Sequence, residues 1–166
     1  SAKYWEDHLL SWEASAYYKD GQQNANWWDR LSTVFRGDAM YVRMNAALDL
    51  VSPHVNGMSV LDVGCGTGAL AAQVLARSQP IELHAVDLAE VYVDYARARN
   101  PDPRCVFSVG DACALSQPSN YFDRVLSLLV LHFVPKPMDA IAEMRRVAKP
   151  GATVGAAVWD ARGGFV

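Results

Sequence analysis

The sequence has few cysteines and no long uninterrupted apolar run, and each of these absences excludes a class of protein. Its three cysteines, Cys65, Cys105 and Cys113, show no C-x-x-C spacing. We therefore expect a reducing compartment, with neither a disulfide framework nor a bound metal. No apolar run approaches the roughly 20 residues that a membrane-spanning helix needs, and the N-terminal residues lack the order of a signal peptide. These features predict a cytoplasmic protein that does not use a membrane.

Strong charge of either sign is also missing. The formal net charge is −3, from 15 basic and 18 acidic residues. Because no basic block is present, nothing favours nucleic acid as a partner. The 166 residues, of which 51% are hydrophobic and 20% are charged, suffice for one globular domain with a core and are too few for two ordinary domains.

The most informative stretch runs from Val60 to Leu70, with the sequence VLDVGCGTGAL. Its first half is aliphatic and β-branched and predicts a buried strand, and its second half carries three alternate glycines before a helical pattern. A strand that turns through glycines into a helix leaves unpaired backbone N–H groups at the helix start. Glycines also let a ligand approach the main chain closely. The pattern predicts a ligand-binding turn without naming the ligand, since phosphate-binding loops have the same design.

Two acids narrow the choice of ligand. Asp62 lies two residues before the first glycine, and Asp87 ends a second apolar segment about 20 residues after the glycines, the spacing at which an acid binds a ribose diol. Asp62 would repel a pyrophosphate and attract an ammonium group. A nucleoside with a positively charged amino-acid tail therefore suits both acids better than a dinucleotide does.

These motifs resemble motif I and the later motifs of the class I S-adenosylmethionine (SAM)-dependent methyltransferases, in the small-molecule branch called type 11. The resemblance covers roughly Val60 to Asp160. It is carried by Asp62-x-Gly64-x-Gly66-x-Gly68, Asp87, Gly110-Asp111-Ala112, Phe122-Asp123 and Arg146-Val147-x-x-Pro150-Gly151. A rival interpretation stays open, because Gly64-x-Gly66-x-x-Ala69 also fits a loose dinucleotide fingerprint.

The resemblance implies SAM as cofactor, S-adenosylhomocysteine (SAH) as product, and a set of residues that bind them. Asp87 would bind the ribose, Leu88 would lie against the adenine ring, and Asp111 and Ala112 would hydrogen-bond that ring. Ser127 and Leu128 would end the fourth strand beside the methyl group. The full implied cofactor set is Asp62, Gly64, Cys65, Gly66, Gly68, Asp87, Leu88, Asp111, Ala112, Ser127 and Leu128.

Structural alternatives stand beside several of these roles. Asp87 could cap the next helix, Asp111 could be a turn acid, and Cys65 need only be small. His132 is the one polar residue between Leu128 and Val134; it is either a core or helix-end residue or a general base for a hydroxyl or amine acceptor. We interpret Asp123 as structural, and Glu143 with Arg146 as a surface pair.

Strand and helix patterns alternate from Met58 onward, which predicts an α/β fold with a Rossmann-like, doubly wound, mainly parallel sheet. Predicted strands are Ser59–Val63, Glu82–Asp87, Cys105–Gly110, Phe122–Ser127 and Thr153–Trp159. Predicted helices are Ala69–Ala76, Ala89–Asn100 and Met138–Ala148.

The chain is predicted to divide into an N-terminal helical cap, residues 1–52, and a SAM-binding core, residues 53–166. Trp5, Trp12, Trp27 and Trp28 in the cap either pack on the sheet or form a lid over the cofactor cleft. The core supplies strands 1–5 of the family's sheet, and the C-terminal strands are missing. An open fifth strand is an aggregation hazard. We therefore expect either a C-terminal portion that the sequence omits or a homodimer that covers this edge.

The sequence thus favours an enzyme that transfers a methyl group from SAM to an O, N or C nucleophile of a small-molecule substrate. Two alternatives come from other classes. One is a non-catalytic SAM- or nucleotide-binding module, and the other is an NAD-dependent oxidoreductase.

Overall fold

The computed structural model describes residues 55–158, which form one five-stranded parallel sheet with helices on both faces. Strands β1 to β5 span Ser59–Val63, Glu82–Asp87, Cys105–Val109, Phe122–Leu128 and Ala148–Ala157. Helices α1 to α3 span Ala69–Arg77, Glu90–Arg99 and Pro137–Val147, and a 3-10 turn covers Leu131–Phe133. The predicted α/β, Rossmann-like fold is confirmed.

The strand order is β3-β2-β1-β4-β5, and every adjacent pair is parallel. From β1 the chain moves outward to β2 and β3, then returns to the other side of β1 for β4 and β5. The order therefore reverses between β1 and β4, where Asp62 is in register with Leu126. In sheets of this kind the crevice at the carboxyl ends of such strands is where ligands bind. We call this edge the C-terminal rim and the opposite edge the N-terminal rim.

Two hydrophobic clusters, one on each face, hold the helices against the sheet. Alternate residues of β1 enter different clusters, because successive side chains of a strand point to opposite faces: Val60 packs with α1 and α2, and Leu61 packs with α3. The helical members are Leu70, Ala71 and Val74 of α1, Val93 and Ala96 of α2, and Ala140, Met144 and Val147 of α3. Because helices pack on both faces of the sheet, the strands whose ends carry the candidate site are held in place.

The fifth strand differs from its prediction. It begins at Ala148, five residues before the predicted start, and the pairing of β4 with β5 shifts register between Phe122 and Arg124. This irregularity accommodates Pro150 and Gly151, two residue types that usually interrupt a strand. Along the described chain β5 pairs with β4 alone. Cover of this edge by a C-terminal portion or by a second copy stays a prediction.

Predictions for the cap, residues 1–52, and for Trp159 concern residues outside the described range. Among residues 55–158, no helix combines the length and the apolar character that crossing a membrane requires.

Candidate functional site at the carboxyl ends of the strands

The turn after β1 is tied to the end of β2 by two backbone hydrogen bonds. The N–H groups of Gly64 and Cys65 donate to the carbonyl of Val86 at 2.7 and 3.0 Å. Gly64 has a φ of 78°, and a Cβ there would lie 2.4 Å from a Val130 methyl carbon. Gly64 is therefore required both by its backbone conformation and by the close approach of the segment after β4.

The other two motif glycines serve different purposes. Gly68 precedes α1 with a φ of 82°, and a Cβ on it would lie 3.1 Å from the Ala96 Cβ, so its backbone conformation and its packing against α2 both favour glycine. Gly66 has a φ of 49°, and a Cβ there would meet nothing within 4 Å. Gly64 and Gly68 therefore serve the fold, and Gly66 alone borders open space that a ligand can occupy.

Asp87 joins the glycine turn to the start of α2. Its carboxylate accepts hydrogen bonds from the N–H groups of Gly66, at 2.8 Å, and of Ala89, at 3.0 Å. Burial raises the pKa of Asp87, and these backbone donors oppose that rise. A carboxylate can accept about four hydrogen bonds. Asp87 can therefore accept further hydrogen bonds from a ligand while it also binds the Ala89 N–H at the start of α2.

Asp62 is the most unusual group in the described structure. Its side chain is 1% exposed, and neither of its oxygens has a hydrogen-bond partner within residues 55–158. Burial, with a further contribution from the charge of Asp87, raises its pKa to about 8. A buried carboxyl group without partners is costly and calls for an explanation. A cationic group delivered by a ligand would supply the missing partner.

Cys65 lies between these acids and is buried. Burial raises the pKa of its thiol, and the charges of Asp62 and Asp87 raise it further. A thiol in this environment stays protonated and is a poor nucleophile. The interpretation of Cys65 as a small side chain in the turn agrees with this environment.

A second turn, after β3, meets the end of β2. The N–H of Gly110 donates to the Asp87 carbonyl at 2.9 Å. Asp111 is exposed and closes its own turn, since one carboxylate oxygen accepts the N–H of Cys113 at 2.8 Å. Leu88 is 47% exposed at the same end of β2. The structure thus places Asp87, Leu88 and Asp111 on adjoining strand ends, as the sequence predicts.

The end of β4 carries three features that the sequence did not reveal. Leu129 has a φ of 59°, a conformation that bulky residues rarely adopt and that is enriched at functional sites. The next residue, Val130, fills the space that the missing side chain of Gly64 leaves. Just before them, the Ser127 hydroxyl is buried without a partner among the described residues. No local sequence pattern predicts the left-handed backbone of Leu129.

His132 is exposed, so it is not a core residue, whereas its alternative interpretation as a helix-end residue agrees with its position in a short 3-10 turn. It lies in the 3-10 turn after β4, and its ring contacts that of Phe133 in a tilted arrangement, with 3.9 Å between the ring centroids and 48° between the ring planes. Partial burial lowers the pKa of the imidazole. A neutral imidazole near the C-terminal rim is able to accept a proton.

Asp123 lies at the N-terminal rim, at the start of β4. Its carboxylate accepts the Ser59 N–H at 3.0 Å and pairs with Lys149 at 2.9 Å. These contacts join the starts of β1, β4 and β5, which makes Asp123 structural. The interpretation of Glu143 and Arg146 as only a surface pair is wrong, because both also hydrogen-bond the connection between β3 and β4.

Residues 61–155 match a protein family described as Methyltransferase domain, type 11. One relative is the malonyl-[acyl-carrier protein] O-methyltransferase of Halorhodospira halophila, 38% identical over 61% of this chain and 35% of that protein. Another is the ubiquinone/menaquinone biosynthesis C-methyltransferase of Paracoccus denitrificans, 30% identical over 76% of this chain and 52% of that protein. The chain thus spans between about a third and a half of these relatives.

A solved structure of Haemonchus contortus phosphoethanolamine N-methyltransferase 2 in complex with S-adenosyl-L-methionine has the same fold. It superposes with a TM-score of 0.62 and 28% identity over 69% of this chain and 27% of that chain. The family match covers more than half of the 166 residues, and it includes the glycine turn, Asp87, the Asp111 turn and Arg146. The chain belongs to the type 11 methyltransferase domain family, within the class I SAM-dependent methyltransferases.

Proposed function

We propose that this domain binds SAM at the C-terminal rim and transfers its methyl group to a small-molecule acceptor. The observation that carries the proposal is the buried, unpartnered carboxyl group of Asp62, at the end of the strand that leads into the turn where Gly66 borders open space. SAM has an ammonium group at one end and a ribose and adenine at the other. The cation suits Asp62, and the ribose diol suits the free acceptor capacity of Asp87.

The remaining residues divide by position. Leu88 offers an exposed apolar surface to the adenine ring, and Asp111 and Ala112 lie where its edge would be bound. Gly64, Cys65, Gly66 and Gly68 form the turn that the amino-acid tail would follow. Ser127 and Leu128 would border the methyl group, because β4 ends beside β1 at the point where the strand order reverses.

SAM bound here would supply a methyl group on a sulfonium, which is already an excellent leaving group. The main tasks of the chain are therefore to align the acceptor with the methyl group and to exclude water, since the methyl donor needs no further activation. His132, neutral and exposed beyond β4, is our candidate to take a proton from a hydroxyl or amine acceptor at a ring nitrogen. The relatives described above are named for O-, C- and N-methylation, so the acceptor atom varies within this fold.

A turnover assay tests the proposal. Full-length protein, SAM with a labelled methyl group and a small-molecule metabolite extract should give a labelled product, and Gly66→Arg should abolish it. Gly151→Arg is the matched control, since Gly151 also has a left-handed backbone and open space but lies at the N-terminal rim. SAH binding without any product would favour a non-catalytic module. NAD binding without SAH binding would favour an oxidoreductase.

A further inference from the structure

The connection between β3 and β4, residues 110–121, has almost no regular structure of its own. Its one ladder contact is an isolated bridge between Asp111 and Ala114. A segment without helix or strand must have its backbone groups satisfied from outside, or it will not hold one path. Yet this segment carries Asp111 and Ala112, to which we assign the adenine ring.

Arg146, near the end of α3, provides much of that external support. Its guanidinium uses all of its five N–H donors. Nε donates to Glu143 at 2.7 Å. One terminal nitrogen donates to the Gln117 carbonyl and the Ser119 hydroxyl, both at 3.0 Å, and the other donates to the Leu115 carbonyl and to Glu143, both at 2.8 Å. One side chain thus binds three points of the connection.

Glu143 completes the arrangement from the previous turn of the helix. One of its oxygens accepts the Leu115 N–H at 2.8 Å as well as an N–H from Arg146. The guanidinium beside it lowers the pKa of Glu143, so the pair stays ionised at neutral pH. Leu115 is therefore held at both its N–H and its carbonyl, while its side chain is buried against α3.

The Asp111 turn is consequently anchored at both ends. On one side Gly110 donates to the Asp87 carbonyl, and on the other the Ala114 N–H donates to Asp111 one residue before Leu115. We infer that Arg146 and Glu143 are positioning residues for the nucleoside end of the cofactor site. They fix Leu115, and through it they hold the Asp111 turn at a set distance from Asp87. This inference rests on the proposed function.

Lysine cannot replace the guanidinium. An ammonium group has three donors on a flexible stem, and it cannot reach two carbonyls, a hydroxyl and a carboxylate in one planar fork. Arg146→Lys therefore keeps the charge while it releases part of the connection. Glu143→Gln is the milder variant, because the amide still offers one oxygen as acceptor.

The test compares SAH with its deaminated analogue, in which oxygen replaces the adenine amino group. Wild-type protein should prefer SAH, because the Asp111 turn would accept a hydrogen bond from that amino group. Arg146→Lys should weaken SAH binding roughly 3- to 30-fold and reduce the preference for SAH over the analogue. A loss of general stability would not change that preference. Lys149→Gln is the control, since it breaks an ion pair of similar exposure at the N-terminal rim.

Hydrogen exchange at the amides of Cys113, Ala114 and Leu115 gives a second readout, and it should accelerate in both variants while β1 stays protected. The inference is wrong if Arg146→Lys still binds SAH with the same preference over the analogue and the same rate of amide hydrogen exchange. That result would leave the proposed function intact. Failure of the wild-type protein to bind SAH would overturn the proposed function as well. If Arg146→Lys does not fold, Glu143→Gln decides the matter by the same two readouts.

Discussion

The two rims of the sheet contain similar acids in opposite circumstances. At the N-terminal rim, Asp123 is paired with Lys149 and Asp102 with Arg104. At the C-terminal rim, Asp62 is more deeply buried than either and has no partner within residues 55–158. Left-handed backbone occurs at both rims, for example at Gly66 and Gly151. A positive φ at glycine therefore does not distinguish the rims, whereas a buried carboxyl group without a hydrogen-bond partner does.

We propose that this difference separates residues that stabilise the fold from residues that bind a ligand. The paired acids at the N-terminal rim join the starts of the strands, and their charges are already matched within the folded chain. Asp62 and the Ser127 hydroxyl, in contrast, cost stability as they stand, because buried polar groups without hydrogen bonds are unfavourable. A further unpartnered atom, the side-chain oxygen of Gln117, lies in the β3–β4 connection.

The largest effect is expected for Gly66→Arg, which should weaken SAH binding by roughly 1,000-fold or more. The new side chain would enter the open space beside Asp87, where we place the ligand. Isothermal titration calorimetry measures the loss. Gly151→Arg should bind SAH like the wild type, although an arginine there has a similarly strained backbone. Equal losses of SAH affinity in both variants would show that the two rims do not differ in ligand binding.

Gly64→Ala should act on stability instead. A Cβ at Gly64 would lie 2.4 Å from a Val130 methyl carbon on a left-handed backbone, and we expect a loss of about 2–4 kcal/mol in the free energy of unfolding. Urea denaturation measures this loss. Val130→Ala in the same chain should restore part of it by removing the clash. Full stability of Gly64→Ala would show that the segment after β4 does not press on the glycine turn.

Asp62→Asn should remove a pH dependence of binding. The pKa of Asp62 is about 8 in the folded chain, so its ionised fraction rises between pH 6 and pH 8 and attracts a cationic ligand more strongly. We expect SAH affinity to rise by about tenfold over this range in the wild type and to stay nearly flat in Asp62→Asn. Titrations at several pH values measure both profiles, and parallel profiles would contradict the pairing of Asp62 with the ligand.

The same pKa has the opposite consequence for stability. Because the folded-state pKa lies above the ordinary value of 3.8, the folded chain binds more protons than the unfolded chain between these two values. The stability contribution is fully present below about pH 4 and is lost as pH rises through about 8. Thermal unfolding without ligand should therefore show a decline over this range that is weaker in Asp62→Asn.

Asp123→Asn should have the smallest effect, a loss of about 1 kcal/mol in the free energy of unfolding. It weakens the pair with Lys149 and the bond to the Ser59 N–H at the N-terminal rim. The pKa of Asp123 is lowered by these partners, so its contribution to stability is present above its ordinary pKa and is lost as pH falls through the lowered value. SAH affinity should not change, and a tenfold loss would contradict the comparison.

Much of this architecture is readable from the sequence because local signals agree with one another. The apolar run before the glycines, for example, ends at Val63, as the strand does. The start of β5 was missed, because Pro150 and Gly151 act as a stop signal in isolation but sit within a register irregularity on an edge strand. Tertiary pairing overrode the local signal there.

Within the candidate site, sequence motifs predicted Asp87 and Gly66, and the structure joins them by a hydrogen bond of 2.8 Å. The role of Arg146 was missed because helical spacing to Glu143 explains only one of its contacts. Its other acceptors lie 27 to 31 residues away along the chain. Leu129 was missed because no residue type in its neighbourhood requires a positive φ. Long-range hydrogen bonds and backbone strain belong to the folded chain and leave no periodic pattern.

We propose above all that acids at the C-terminal rim hold a nucleoside with a cationic amino-acid tail. Isothermal titration calorimetry of the full-length protein with SAH and with NAD distinguishes this ligand from a dinucleotide. We expect one SAH bound per chain, weaker binding in Asp62→Asn, and no measurable heat from NAD. Tight binding of NAD with no response to SAH would show that the acids do not hold such a nucleoside.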